Sequence, residues 1–295
     1  MPRRCDIWRV GIVRATVAEV ATTGLEAHPI HWLAEEPSFR FLADPFGLWR
    51  GGQLHLFAEY YDYRSRHGVI DRLTFGADLT LRDRATVLRE SWHLSYPYVF
   101  EADGETWMLP EAYRSGALTL YRAIGFPDRW EPAARITLDV PPIDASPLWH
   151  GGRWWLFYSG GRDRKARMGA FHIASAERLE GPWYPHPHNP IRCDMRGGRP
   201  GGTPFLDGDI ICLPVQDCSR TYGGAVRILR FSSLTPDRVK ADLGPPISAP
   251  MQTPYRDGFH TLSGCGPVTL IDAKKVDQSG RGWLIDLARA VGLTP

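Results

Sequence analysis

Four glycine turns recur at near-equal intervals along the chain: Gly51-Gly52, Asp103-Gly104, Gly151-Gly152 and Asp207-Gly208. Each stands between short apolar runs, such as Leu148-Trp149 before and Trp154-Trp155-Leu156-Phe157 after the third. Glycine has no Cβ, so these pairs supply the positive φ angles that a tight hairpin needs. A hairpin that returns about every 50 residues predicts a blade repeat rather than an irregular sheet. Further strands continue each unit: Ala117–Ala123, Met168–Ala174 and Ala225–Arg230. A fifth unit is expected to use Gly266–Ile271, with the early run Ile7–Val13 closing the ring so that no edge strand is left unpaired. The fold class read from this pattern is all-β, a five-bladed β-propeller of four-stranded antiparallel blades.

A repeat running from about residue 40 to 270 occupies most of the 295 residues, which leaves one core. The propeller is assigned to 1–271, and 272–295 to a linker and a short C-terminal helix packed on it. On that helix Leu284, Leu287, Ala288 and Val291 share a face. Net charge is only +2, which gives no reason to expect nucleic acid or an acidic membrane surface as partner. No apolar run approaches the roughly 20 residues of a membrane span. Five scattered cysteines without a CxxC pair predict reduced thiols and a cytoplasmic location.

Proline-containing strand entries precede the hairpins: Asp44-Pro45, Tyr96-Pro97, Ser146-Pro147 and Thr203-Pro204. In a propeller these entries ring the mouth of the central channel. Asp44 and Asp144 bring carboxylates there, and carboxylates facing one another across a pocket are what chemistry at a glycosidic bond requires. Asp near Pro is also an ordinary turn residue, so the bland alternative stays open. Glu59 and Glu111 stand equally far after Pro45 and Pro97, and Pro110 can end the ladder and turn Glu111 inward. Trp49, Tyr60, Tyr61, Tyr96, Tyr98 and Trp149 are rings that could face a sugar, although inter-blade packing uses the same residues.

The pattern resembles the five-bladed glycosidase superfamily that includes family 43 arabinosidases and xylosidases and family 32 invertase-like enzymes. That resemblance implies a base or nucleophile at Asp44, a tuning carboxylate at Asp144 and an acid in the fourth blade. The fourth entry, Arg199-Pro200-Gly201-Gly202-Thr203-Pro204-Phe205, carries no glutamate. Over residues 40–265 the chain more closely resembles the propeller domain at the amino end of plant glucosamine inositolphosphorylceramide transferases. Phe41-Leu42-Ala43-Asp44-Pro45-Phe46, Ser95–Glu101, Met108-Leu109-Pro110-Glu111, Gly181-Pro182-Trp183, Gln216-Asp217-Cys218-Ser219 and Tyr222-Gly223-Gly224 carry that likeness. It implies sugar transfer or sugar binding.

A missing acid suits a donor whose leaving group is a phosphate, which needs cationic stabilisation more than a proton. The expected function is therefore action at a glycosidic bond, with glycosyl transfer from an activated sugar donor slightly ahead of hydrolysis. Asp44, Asp144, Glu111 and Asp217 are the catalytic candidates. Arg199, Arg220, Tyr96, Gln216 and His260 are the candidates for binding a sugar or nucleotide-sugar ligand. No cofactor and no metal ligand set are assigned; a divalent cation in the channel near His260, with Asp257, is the one exception that the resemblance suggests. A sugar-binding module that presents ligand to a partner enzyme is the alternative, and a protein-interaction propeller a weaker third.

Overall fold

Each predicted glycine turn is the tip of a two-stranded hairpin in the computed structural model, which describes residues 4–292. Arg50 pairs with Gln53, Ala102 with Glu105, and His150 with Arg153, so two residues with positive φ make each of these turns. The fourth turn is Gly208-Asp209 rather than Asp207-Gly208, because Asp207 already pairs with Ile210. A fifth hairpin, around Gly266-Pro267, joins Leu262–Cys265 to Val268–Asp277.

The five hairpins nucleate five antiparallel sheets. Blade 1 contains Arg40–Arg50, Gln53–Asp62, His67–Phe75 and Leu81–Leu88. Blade 2 contains Ser95–Ala102, Glu105–Glu111, Leu118–Gly125 and Arg129–Ile136. Blade 3 contains Ile143–His150, Arg153–Ser159 and Ala170–Ala176, with Tyr184–Pro185 and Arg192–Cys193 sharing the outer position. In blade 4 the inner strand is broken into Arg199–Pro200 and Phe205–Asp207, followed by Ile210–Asp217, Ala225–Leu234 and Val239–Ile247. Blade 5 is built from both ends of the chain: Cys5–Val13 pairs with Val268–Asp277 along its whole length and carries Ile30–Trp32 on its far side. The predicted ring closure is thus present: Cys5–Val13 covers the edge of Val268–Asp277 that faces away from Leu262–Cys265.

Apolar side chains on the faces of neighbouring sheets form a large cluster between each adjacent pair of blades, and a smaller one of Trp8, Phe41 and Ala43 adds to the contact of blades 5 and 1. Trp107 and Leu109 of blade 2, for example, meet Trp154 and Leu156 of blade 3. Two features differ from the sequence reading. The segment from 272 is not linker at first, because the blade 5 strand continues through Asp277. The C-terminal helix forms over Arg281–Ala290, yet Leu284 and Leu287 remain about half exposed instead of seating the apolar face on the propeller. Among the described residues no helix is long and apolar enough to cross a membrane.

Candidate active site at the channel mouth

The strand entries acquire their geometry from a repeated kink. Asp44, Tyr96 and Asp144 have φ of 50°, 47° and 51°, and the strand register slips at each of them. A bulge of this kind re-aims one side chain and disturbs the ladder around it. Left-handed backbone is uncommon outside glycine, least so for Asp and Asn, and its recurrence at three equivalent places marks a built feature. The second strands supply another ring. Glu59, Glu111, Ser159, Gln216 and Lys274 lie opposite Ala43, Ser95, Ile143, Arg199 and Gly258, one from each blade, and all five are buried.

Asp44, Glu59 and Glu111 of these two rings line a funnel of about 700 Å³, together with Arg199, Tyr222 and His260. Asp44 of blade 1 is tied to blades 2 and 5. Its own N–H donates to Asp272 Oδ2 (2.9 Å), Tyr96 N–H donates to its Oδ2 (3.3 Å), and Thr261 Oγ1 donates to its Oδ1 (3.1 Å). Asp272 accepts from the backbone N–H groups of His260 and Thr261 as well, and from His260 Nδ1 at 2.8 Å. That contact points His260 Nε2 at Asp44 Oδ1, 3.6 Å away. Trp8 stacks on the imidazole at a centroid distance of 3.7 Å. Burial pushes the Asp44 carboxyl up to about 6; His260 opposes that rise, and the charges of Asp144 and Asp272 add to it.

Glu111 accepts from Ser95 Oγ (2.8 Å) and from the backbone N–H of Tyr113 (2.7 Å). Burial, helped by the charge of Asp144, nonetheless raises it to about 7. Glu59 is raised well above the ordinary carboxyl range, first by burial and then by Asp44 and Glu111. Its neighbour His93 accepts from Gly68 N–H through Nδ1, so its Nε2 carries the proton that faces Glu59 Oε1 at 3.4 Å. Burial and the charge of Arg114 hold His93 neutral, down at about 4. A Cβ on Gly68 would lie 2.8 Å from Glu59 Oε1 and 2.5 Å from Leu94 O, so the carboxyl fits only against glycine.

The structure sorts the sequence candidates. Asp44, Glu111, Arg199, Arg220 and His260 meet in the funnel wall. Asp144 lies behind it, gripped by Arg199 Nε (2.6 Å) and Nη2 (3.2 Å) and by Gln216 Nε2 (2.6 Å). Gln216 therefore positions a carboxylate instead of facing a ligand. Tyr96 also departs from its expected role: it is fully buried, with its hydroxyl against Ser146 Oγ (2.9 Å) and accepting from Gly202 N–H (2.7 Å). Asp217 is turned away from the funnel, where Arg227 Nε (2.8 Å) and Ser219 hold it and lower its pKa despite burial. Asp257 is exposed and accepts from Val276 N–H, away from His260. Of the rings proposed to face a sugar, only Tyr61 lines the cavity.

Glu59, Asp272, Trp8 and Tyr222 were not among the sequence candidates. The equal spacing from Pro45 and Pro97 pointed to Glu59; nothing local pointed to Asp272. Asp44, His260 and Asp272 each offer a ligand atom within 4.8 Å of the others. Asp272 already spends its oxygens on three backbone N–H groups and an imidazole, so the set does not fit a hard cation that takes six or more oxygen ligands.

One glycine of the fourth-blade entry, which carries no glutamate, is required sterically. Gly202 has φ of 147°, and a Cβ there would stand 1.9 Å from Leu262 O of blade 5. Backbone fills the space in which a longer residue would begin.

Residues 30–250 match the family described as glucosamine inositolphosphorylceramide transferase 1, N-terminal. A relative from Oryza sativa subsp. indica, glucosamine inositolphosphorylceramide transferase 1, is 37% identical over 212 residues, which are 68% of this chain and 27% of the relative. Its counterpart from Arabidopsis thaliana is 34% identical over 204 residues, with 68% and 26% covered. The chain thus spans only about a quarter of the length of these curated relatives. Among solved structures, the catalytic domain of the Coprinopsis cinerea GH62 alpha-L-arabinofuranosidase superposes with a TM-score of 0.58 at 11% identity, covering 82% of this chain and 93% of that one. The Cellvibrio cellulosa alpha-L-arabinanase gives 0.54 at 16% identity, covering 71% and 82%. At these identities the likeness is one of fold.

Proposed function

The chain belongs to the N-terminal domain family of glucosamine inositolphosphorylceramide transferase 1, and from this membership and the funnel we propose that it acts on carbohydrate, making or breaking a glycosidic bond. One observation carries the reading: Asp44, tied to blades 2 and 5, opens into a funnel shared with Glu59 and Glu111, two acids whose pKa burial raises. Asp44 takes the proton from an acceptor hydroxyl or a water as its oxygen bonds to the anomeric carbon. The donor's glycosidic C–O bond breaks, and Glu111 or Glu59 protonates the departing oxygen where that group needs a proton. His260, fixed by Asp272, holds Asp44 in register. Transfer is favoured over hydrolysis because the fourth-blade entry carries no glutamate, and a phosphate leaving group needs no dedicated acid.

Asp44→Asn tests the base. With a panel of nucleotide-sugar donors and aryl glycosides, product formation by the wild-type chain falls at least a hundredfold in the variant while its Tm stays within a few degrees. Undiminished turnover by the variant removes Asp44 from the chemistry. The wild-type kcat/KM is expected to rise through about pH 6 as Asp44 ionises and to fall above about pH 7 as the acids deprotonate.

A second reading, a sugar-binding module that presents its ligand to a partner enzyme, is favoured by the withdrawal of Asp144 behind Arg199 and Gln216. Saccharide binding without turnover across the same panel supports it.

A further inference from the structure

Arginines line the funnel in two classes. Arg199 is neutralised by Asp144 in a two-point ion pair, and Arg4 is paired with Asp6 at 3.0 Å. Arg114, Arg164, Arg167 and Arg220 also line it, and among the described residues no carboxylate pairs with any of them. The sequence reading gave the anion to Arg199 and Arg220; the ion pair takes Arg199 out of that role and leaves the others.

Three of the four form one arc. Arg114 sits in the turn Tyr113–Ser115 that follows the second strand of blade 2, and Arg164 and Arg167 lie on the short helix Arg164–Gly169 that follows the second strand of blade 3. Arg167 ties the two segments together, with its guanidinium 5.2 Å from the Tyr113 ring centroid and Nη1 3.3 Å from the Tyr113 hydroxyl. That contact holds Arg167 while Arg114 and Arg164 stay exposed. The whole chain carries a net charge of only +2, so four unopposed cations at one opening are a local concentration. Carboxyls and aromatic rings, Glu59, Glu111, Tyr61 and Trp8 among them, line the same funnel.

We propose that Arg114, Arg164 and Arg167, with Arg220, form a phosphate-binding collar, and that the ligand is a saccharide bearing a phosphate or diphosphate group. The proposal rests on reading the funnel as a sugar site and adds the charged half of the ligand. A single sugar-acid carboxylate brings one negative charge. A phosphate monoester brings about 1.5 to 2 and three acceptor oxygens, which match several planar guanidinium groups. A cavity of about 700 Å³ has room for both halves. Positive charge focused at a concave mouth also draws such a ligand in, at a rate that falls with salt.

The test is calorimetric titration of the full chain with inorganic phosphate, pyrophosphate, glucose 1-phosphate and glucuronate at low and high NaCl. Pyrophosphate is expected to bind at low salt, at least tenfold more tightly than glucuronate, and to weaken as salt rises. Arg114→Ala with Arg164→Ala is expected to weaken it at least tenfold with Tm unchanged, since both side chains are exposed. Glucose 1-phosphate binding more tightly than inorganic phosphate supports the composite ligand. Equal affinity of these two, with the pyrophosphate results as expected, keeps the collar but rejects the sugar half and the reading beneath it. No pyrophosphate binding, or binding indifferent to the two arginines, overturns the collar. Binding only to phosphatidylinositol-containing vesicles, with none to free pyrophosphate, overturns it in favour of a membrane headgroup.

Discussion

Asp44, Tyr96 and Asp144 share one left-handed backbone position in successive blades, and side-chain chemistry decides what each does there. Asp44 opens to the cavity, Tyr96 spans the core to Gly202, and Asp144 is locked by Arg199 and Gln216. Removing one partner of a buried ion pair leaves an uncompensated charge at a cost of about 3–5 kcal/mol. Arg199→Met is therefore expected to lower unfolding free energy by about that amount in urea titrations, and Arg199→Met combined with Asp144→Asn to recover most of it. An unchanged midpoint for the single variant contradicts the proposed lock. Glu111 gives a pH test. Its pKa is raised on folding from 4.5 to about 7, so the folded chain binds more protons than the unfolded one in that interval. Stability from this group is complete below about pH 4.5 and declines as pH rises to about 7. Glu111→Gln has no such loss, so its stability relative to wild type should grow across that window by on the order of 3 kcal/mol. A pH-independent difference means that Glu111 is not raised.

At the scale of elements, the same residue type serves two different ends. Gly208 closes a hairpin in open space with φ of 60°, whereas Gly202 brings blade 4 against blade 5 with Leu262 O in the place of a Cβ. Gly208→Ala carries only backbone strain, about 1 kcal/mol. Gly202→Ala adds a backbone clash that cannot relax without moving a blade, and is expected to cost several times more. Chemical denaturation of the two variants checks this ranking; similar costs would mean that the blade 4–blade 5 contact is loose. The turns were legible because glycine's freedom is local. The bulges were not, since the Pro of Ser146-Pro147 suggests the wrong register: Ala145, not Pro147, follows the kink as Pro45 and Pro97 do. The helix Val17–Thr23, with its Thr16–Glu19 capping box, is a short local signal that the strand pattern overshadowed.

For the whole molecule, ring closure couples the two ends of the chain. Cys5–Val13 completes blade 5 and carries Trp8 to the face of His260. Deleting residues 1–13 is expected to expose the edge of Val268–Asp277, to promote aggregation and to abolish ligand binding, read by light scattering and calorimetry. A soluble, ligand-binding truncated chain would show that closure is dispensable. The same coupling explains what could be read in advance. Blade number, hairpin position to within a residue and the closing strand follow from turn chemistry and apolar periodicity, and the inward placement of Asp44 from its Asp-Pro strand entry, signals that act over a few residues. The partners of each polar group come from blades far apart in sequence. Asp272 beneath Asp44 and His260, Arg199 and Gln216 around Asp144, and the removal of Asp217 to Arg227 were settled only when the ring closed, because burial obliges each charge to find a partner and only the assembled structure decides which are within reach.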